Sequence, residues 1–508
     1  MVGEEPLLAR PSSERSSERA TEEEDALLTG QQVYRTPKRN WRQLGLFTWA
    51  FVATVVAVIL AAAYQHESSI KINPKNNGGW GADGKPSGKR NMIFMVSDGM
   101  GPTSLTLTRT FRQYTTGLPI DDVLVLDKHM IGTSRTRSTS SLVTDSAAGA
   151  TAFGCGLKSY NGAIAVLPDH SPCGTVLEAA KRAGYMTGLV VTTRITDATP
   201  ACFASHANRR EYEDLIAEQL VGHYPLGRVV DLILGGGRCH FLPNSTDGSC
   251  RSDDNDIVAM AKKNGYSYIS SREEFDHLVE DAERGVLPLL GLLARTDFPY
   301  EIDRVLVAKE YPSEEEMTRL ALRALSAATK DSDKGFFLMI EGSRIDHAGH
   351  ANDPAAQVHE VLAHDRAFAA VLDFLEESET PGILVSTSDH ETGGLAAARQ
   401  LHETYPHYYW FPGVLANASH STEHLGLKYA EYLAHSGANA SRDEKSIYIR
   451  SEILADGLGI ENASDEEVDA IIDANPMWPP AYLFADMISR RAQVGWSTHG
   501  HSGKFFLQ

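Results

Sequence analysis

The chain has 508 residues, room for roughly two or three average domains or for one large α/β domain with insertions, and in either case for a substantial buried core. Its formal net charge of −20 would repel a phosphate backbone, and its basic residues form no stripe beyond a short run before residue 44, which excludes a nucleic-acid partner. Small phosphates remain compatible with an acidic protein when metal ions supply local positive charge.

Residues 1–43, rich in Glu, Ser and Arg with few aromatics, are expected to form a disordered cytosolic tail. Within it Glu23-Glu24-Asp25-Ala26-Leu27-Leu28 resembles an acidic dileucine signal for a sorting adaptor. Residues 44–64 carry no formally charged side chain and read as a transmembrane helix of ~20 residues. A cleaved signal peptide fits poorly behind so long a charged stretch. Arg35, Lys38, Arg39 and Arg42 crowd its N-terminal flank, whereas Lys71 and Lys75 stand farther off, so the N-terminus is expected in the cytosol and the body in a lumen or outside. The glycosylation acceptors at Asn244, Asn417, Asn439 and Asn462 all follow the span, which agrees with that topology.

Residues 65–90 are rich in Gly, Pro and Asn and read as a linker, so the folded body is expected to begin near Asn91. From there short apolar runs at Met92 to Val96, Leu189 to Thr192, Leu232 to Leu234, Phe336 to Ile340 and Ile383 to Thr387 predict buried strands. Ser313-Glu314-Glu315-Glu316 has capping-box spacing ahead of a helix reaching about Ala328, and a second long helix is predicted from Pro354 to about Leu375. Alternating strands and helices imply an α/β fold with a large, mainly parallel sheet covered on both faces. Cys155, Cys173, Cys202, Cys239 and Cys250 lack C-x-x-C spacing, which argues against a cysteine zinc site. Cys239 and Cys250 flank a loop and are the favoured disulfide pair, with free buried thiols as the alternative.

Chemistry-bearing residues gather where such a sheet places its ligands, beyond the carboxyl ends of the strands. Asp98, Glu341 and Asp389-His390 each follow an apolar run. Asp346 and His350 share one face if their turn is helical, and Thr498-His499-Gly500-His501 offers histidines in a glycine-rich loop. Mixed Asp/His sets suit zinc; an all-oxygen set of Asp, Thr and Glu suits magnesium. Ser146, beside Asp145 and followed by Ala147-Ala148-Gly149-Ala150, is either a capping serine or a hydroxyl at the positive end of a small-residue helix that receives an anion.

Taken together, Phe94 to Gly101, Thr144-Asp145-Ser146-Ala147-Ala148, Asp197-Ala198-Thr199-Pro200-Ala201, Glu341 to Asp346 and Ser388 to Gly394 resemble the alkaline phosphatase family, in its order, from about Asn91 to Gly503. With the anchor and acidic tail, the whole is most similar to the membrane-anchored vacuolar members of fungi. The resemblance implies a non-specific phosphate monoester hydrolase with a phosphoserine intermediate on Ser146 and Arg210 as phosphate clamp, the four-residue interval from His206 selecting it over Arg209. It implies two zinc ions, one held by Asp346, His350 and His499 and the other by Asp389, His390 and Asp98. Asp98, Thr199 and Glu341 would hold one magnesium ion, with Asp197 acting from the outer shell. It further implies a catalytic domain over 91–503, a crown-like insertion over about 395–487 that joins a homodimer, small phosphorylated substrates, and a type II protein of the vacuolar membrane with its catalytic domain in the lumen. Residues 504–508 diverge from the family, whose members continue and complete the sheet edge. A sulfatase would carry x-Pro-x-Arg after the nucleophile, a pyrophosphatase of the superfamily would more often use threonine, and an inert luminal module would have no use for a retained nucleophile.

Overall fold

The structure is a computed structural model that describes residues 41–70, 88–474, 479–503 and 506–507. It divides into two units, Met1–Lys75 and Asn76–Gln508, which are described separately. Residues 1–40 of the tail, with the dileucine motif, and residues 71–87 of the linker lie outside the described residues, whereas 41–43, read as tail, are helical.

In the first unit, helix α1 (Trp41–Ile70) runs for 30 residues and extends into the stretch read as linker. The apolar side chains described between residues 45 and 60 are exposed, Trp49 at 72% and Ile59 at 60% among them. Among the described residues no helix is long and apolar enough to cross a membrane.

The second unit is built on seven parallel strands: β1 (Asn91–Ser97), β2 (Met186–Arg194), β3 (Leu232–Gly236), β4 (Ser267–Ile269), β5 (Leu289–Leu292), β6 (Phe336–Gly342) and β7 (Gly382–Thr387). Their order is β4-β5-β3-β2-β6-β1-β7. The period of two along a strand divides β6 between the faces. Phe337 and Met339 join Ala147, Ala150, Ala198, Ala201 and Phe203 on one side, while Phe336, Leu338 and Ile340 join Met317, Leu320, Leu325, Phe368 and Val371 on the other. Burial on both sides is why β1 and β6 read as unbroken apolar runs. β4 and β5 escaped the sequence reading because each is very short and β5 is interrupted by Gly291, whose missing side chain admits Leu234 and Ile269.

The helices follow their capping chemistry. Helix α2 (Ser146–Cys155) begins at Ser146 with Asp145, not the serine, as its cap. Helix α3 (Ala198–Ala204) is capped by Asp197. The small residues of α2 let the two helices approach closely: a Cβ on Gly154 would lie 2.7 Å from the carbonyl oxygen of Cys202. On the opposite face, α4 (Glu314–Ala328) starts at the Ser313–Glu316 capping box. Helix α5 (Arg344–Ala351) leads directly into α6 (Pro354–Glu377), which Asp353 caps through the N–H groups of Ala355 and Ala356.

The stretch read as an insertion forms short helices at Pro412–Ala416, Thr422–Ala434, Arg442–Tyr448, Asp465–Ile472 and Pro480–Ala492. They share a core of Leu425, Tyr429, Ile453, Val468 and Phe484, continuous with Leu107, Phe111 and Tyr300 of the main body. Polar ties reinforce that contact: Asp303 and Asp353 accept from the N–H groups of Ser421 and Thr422, and Arg344 pairs with Glu423 at 2.8 Å. Cys239 pairs with Cys250 as expected, Cys155 pairs with Cys173, and Cys202 is free and buried. Residues Phe506–Leu507 pair antiparallel with Thr133–Ser134; the rest of the divergent end lies outside the described residues.

Candidate active site

The adjacent strands β2, β6, β1 and β7 deliver Asp197, Glu341, Asp98 and Asp389-His390 to one edge of the sheet. Gly99 turns the chain there with φ +73, and a Cβ on it would fall 2.6 Å from the Cα of Asp346. That turn therefore needs glycine. Its N–H donates to Asp389 Oδ1 at 3.1 Å, joining the ends of β1 and β7.

Ser146 is buried at the first position of α2. Its Oγ lies 3.0 Å from His390 Nε2. Asp145 fixes the turn, accepting from the N–H of Ala148 at 2.9 Å and of Gly162 at 2.7 Å. A Cβ on Gly149 would lie 3.1 Å from Asp389 Cβ, so the small side chains bring the helix end against the β7 residues.

Two groups of potential ligands stand beside the serine. Asp98, Asp389 and His390 form one, and Asp346, His350 and His501 the other, the ligand atoms of each lying within 4.8 Å of one another. His350 Nδ1 meets the carbonyl of His499 at 2.5 Å, and His501 Nδ1 meets that of Thr144 at 2.8 Å. A carbonyl only accepts, so each Nδ1 carries a proton, and Nε2 is the atom of each ring left to offer a lone pair when it is deprotonated. Those two Nε2 atoms face each other at 3.1 Å, close enough to share a proton or a cation.

His501 takes the place expected of His499. The short pairing of His501–Ser502 with Glu391–Thr392 brings the His501 ring onto His390 at 3.6 Å, with Nε2 3.6 Å from Asp346 Oδ1. The His499 ring instead stacks on Tyr482 at 4.3 Å, and its Nδ1 meets the His350 carbonyl at 2.8 Å. Spacing in a loop does not distinguish two histidines; the strand pairing does.

Arg210 is half-buried, with Nη2 2.8 Å from Asp197 Oδ1 and Nη1 3.8 Å from Asp145 Oδ2, whereas Arg209 is exposed. Those carboxylates outweigh burial and hold the Arg210 guanidinium firmly charged. Asp197, pulled down by Arg210 and Arg194 against burial, stays ionised. Arg194 was not singled out by sequence; it braces the end of β2 through Glu213 and Asp297, both at 2.9 Å.

The remaining carboxylates lack counter-charge. Burial, then the charges of Asp389, Asp346, Glu341 and Asp197, hold Asp98 well above the usual range. Burial pushes Asp389 up to about 7 and Glu341 to about 8. Burial would raise Asp346 too, but the charge and hydrogen bond of His350 outweigh it and hold Asp346 well below the usual range. His350 in turn rises against burial to about 9 beside Asp346, while burial and His501 keep His390 neutral. Asp98 Oδ1, Asp389 Oδ2 and Thr199 Oγ1 are buried with no hydrogen-bond partner. Orphaned oxygens and lone pairs facing a common space fit divalent cations.

Comparison with known proteins gives a consistent picture. The family model described as Alkaline phosphatase matches residues 89–505. The repressible alkaline phosphatase of Saccharomyces cerevisiae is 56% identical over 429 residues, covering 82% of this chain and 74% of the yeast protein. Among solved structures, alkaline phosphatase from Thermus thermophilus is similar with a TM-score of 0.67 and 28% identity, over 86% of this chain and 89% of that one. A variant of TAB5 alkaline phosphatase with magnesium bound has a TM-score of 0.51 and 31% identity, over 63% of this chain and 85% of that one.

The two histidines give a direct test. His501→Ala should lose one equivalent of tightly held zinc, measured by elemental analysis after dialysis, whereas His499→Ala should keep it; the reverse pattern would restore His499 as the ligand. The raised carboxyls give a second. A carboxyl raised on folding adds stability that is complete below its unfolded pKa and lost as pH rises through its folded value. For Asp389 and Glu341 that window runs from the ordinary 3.8 and 4.5 to about 7 and about 8. The melting midpoint of the metal-free protein should therefore fall between pH 5 and pH 8, and zinc with magnesium should raise it most at the upper end. A metal-free midpoint that stays level would contradict this charge balance.

Proposed function

The chain belongs to the alkaline phosphatase family, whose reaction is phosphate monoester hydrolysis, and on that premise we propose that it works through a phosphoserine on Ser146 with two zinc ions and one magnesium ion. The observation that carries this reading is the Ser146 hydroxyl at the N-terminus of α2, 3.0 Å from His390 Nε2 and beside buried oxygens that lack partners. Asp346, His350 and His501 would hold one zinc; Asp98, Asp389 and His390 would hold the other. Asp98, Thr199 and Glu341 would hold magnesium, with Asp197 nearby as an ionised group that also orients Arg210. Zinc would supply Lewis acidity that makes a hydroxyl nucleophilic at neutral or alkaline pH, and magnesium would supply further positive charge. Magnesium bound in a variant of the TAB5 relative supports a magnesium site here.

The protein groups divide the remaining work. Arg210 grips two phosphoryl oxygens with its planar guanidinium, which turns phosphorus toward Ser146. The N-terminal end of α2 favours the dianion through its free N–H groups and dipole. Ser146 Oγ bonds to phosphorus as the bond to the ester oxygen breaks, and the alcohol leaves with a proton. Water then attacks the phosphoserine, the P–Oγ bond breaks, and serine and phosphate are restored. Gripping only the phosphoryl group leaves the alcohol unselected, in keeping with small, varied phosphorylated substrates.

The wider setting belongs to the same proposal. Residues 44–64 anchor the protein once in the vacuolar membrane, with the N-terminal tail cytosolic, its Glu23–Leu28 motif read by an adaptor, and the catalytic body luminal. Support comes from the exposed apolar side chains described between residues 45 and 60 and from exposed acceptors at Asn244, Asn417, Asn439 and Asn462. The insertion helices join two copies in a homodimer.

Two measurements test these readings. Ser146→Ala should lower turnover of a chromogenic monoester by on the order of 10^3-fold or more, and acid quenching should trap labelled phosphate on the unsubstituted protein alone; trapping on the alanine variant would move the nucleophile elsewhere. For topology, endoglycosidase should increase the mobility of the protein from intact membranes only after the membranes are opened. Removal of sugar from sealed, right-side-out vacuoles would reverse the orientation.

A further inference from the structure

We propose that the hydroxyl of Thr392 is the positioning group that locks the two ligand clusters to one another. The inference rests on the reading of those clusters as cation sites and concerns a residue that neither cluster contains.

Thr392 meets the segment of nearly every ligand. Its Oγ1 makes a short hydrogen bond to Asp346 Oδ1 in one cluster and lies 3.2 Å from His390 Nδ1 in the other. Its backbone N–H donates to the carbonyl of Gly99, next to Asp98, at 3.2 Å. It stands opposite His501 in the short strand pairing. Against α5 the fit is tight: a Cβ on Gly349, next to His350, would fall 2.8 Å from Thr392 Cβ. Thr392 is 1% exposed, so no water replaces these contacts.

Hydrogen-bond valence then fixes the protons. A threonine hydroxyl has one proton to give, and a carboxylate can only accept, so the proton points at Asp346. Oγ1 can therefore only accept from His390, which places that ring's proton on Nδ1 and leaves Nε2 as a lone pair facing Asp98, Asp389 and Ser146. Without the hydroxyl, the nearest acceptor facing the fully buried His390 Nδ1–H would be Asp346 Oδ1 at 3.9 Å, beyond hydrogen-bond range, at an unfavourable desolvation cost. The ring relieves that cost by moving its proton to Nε2, the atom needed for a cation. Asp346 loses its restraint in the same stroke. One oxygen thus sets the tautomer in one cluster and the carboxylate angle in the other.

Valine matches threonine in shape but lacks the hydroxyl; serine keeps the hydroxyl and lacks the methyl. Zinc affinity of the full chain should be measured by competition with a chromophoric chelator, together with the visible spectrum of the cobalt-substituted protein. Thr392→Val should weaken zinc binding by roughly 10–100-fold, the usual effect of losing an outer hydrogen bond to a ligand, and should alter the cobalt spectrum. Thr392→Ser should stay close to the unsubstituted protein in both. Should the valine variant fail to fold, Thr392→Ala gives a second hydroxyl-free comparison. Wild-type affinity and spectrum in the valine or alanine variant, or equal weakening in the serine variant, would overturn the inference while leaving the cation sites intact. An unsubstituted protein that binds no zinc would overturn both.

Discussion

Like charges gathered in a dry place govern this molecule. Asp98, Glu341, Asp346 and Asp389 are each almost fully buried around one sheet edge, and Asp197 is close to them. Isolated, such carboxylates are too costly to bury in ionised form. The protein supplies part of the balance through Arg194, Arg210 and the histidines, and the proposed cations would supply the rest. The cluster that is a liability for the bare chain would thereby be the source of the proposed affinity for cations.

The surrounding architecture serves to hold those groups in place. Parallel strands bring residues distant in sequence to one edge, and the central strands β2, β6, β1 and β7 are also neighbours in the site. Glycines make the approach close enough: Gly99 lies over Asp346, Gly149 faces Asp389, and Gly349 faces Thr392. At each, a methyl group would meet a ligand or its support. The short pairing of residues 501–502 with 391–392 closes the far side and delivers His501.

Much of this was legible in the residues because the same physics writes both. The apolar runs at Met92 to Val96 and Phe336 to Ile340 are long enough to declare buried strands, and the Ser313–Glu316 pattern declares the start of α4. The family motifs name Ser146, Arg210 and most of the carboxylates without any geometry. What stayed hidden depends on contacts distant in sequence. β4 and β5 are too short to show a period, His501 differs from His499 only through a strand pairing, and Cys155 meets Cys173 only after α2 has formed. Thr392 carries no charge and so gives no signal in a scan for ligands. Its importance appears only in what its oxygen touches.

The facing nitrogens of His350 and His501 have a consequence for where such a protein can be charged with metal. On the proposed reading of these residues as zinc ligands, both Nδ1 atoms are committed to carbonyls and an ion held by the Nε2 atoms, 3.1 Å apart, takes the place of the His350 proton. Loading zinc there expels a proton. Acid and metal thus compete for a single seat, and the acidity of the surroundings acts as an inhibitor of assembly before it touches turnover. A protein filled with its ions before it meets an acidic compartment has only to retain them, whereas one that arrives empty must displace protons to gain them.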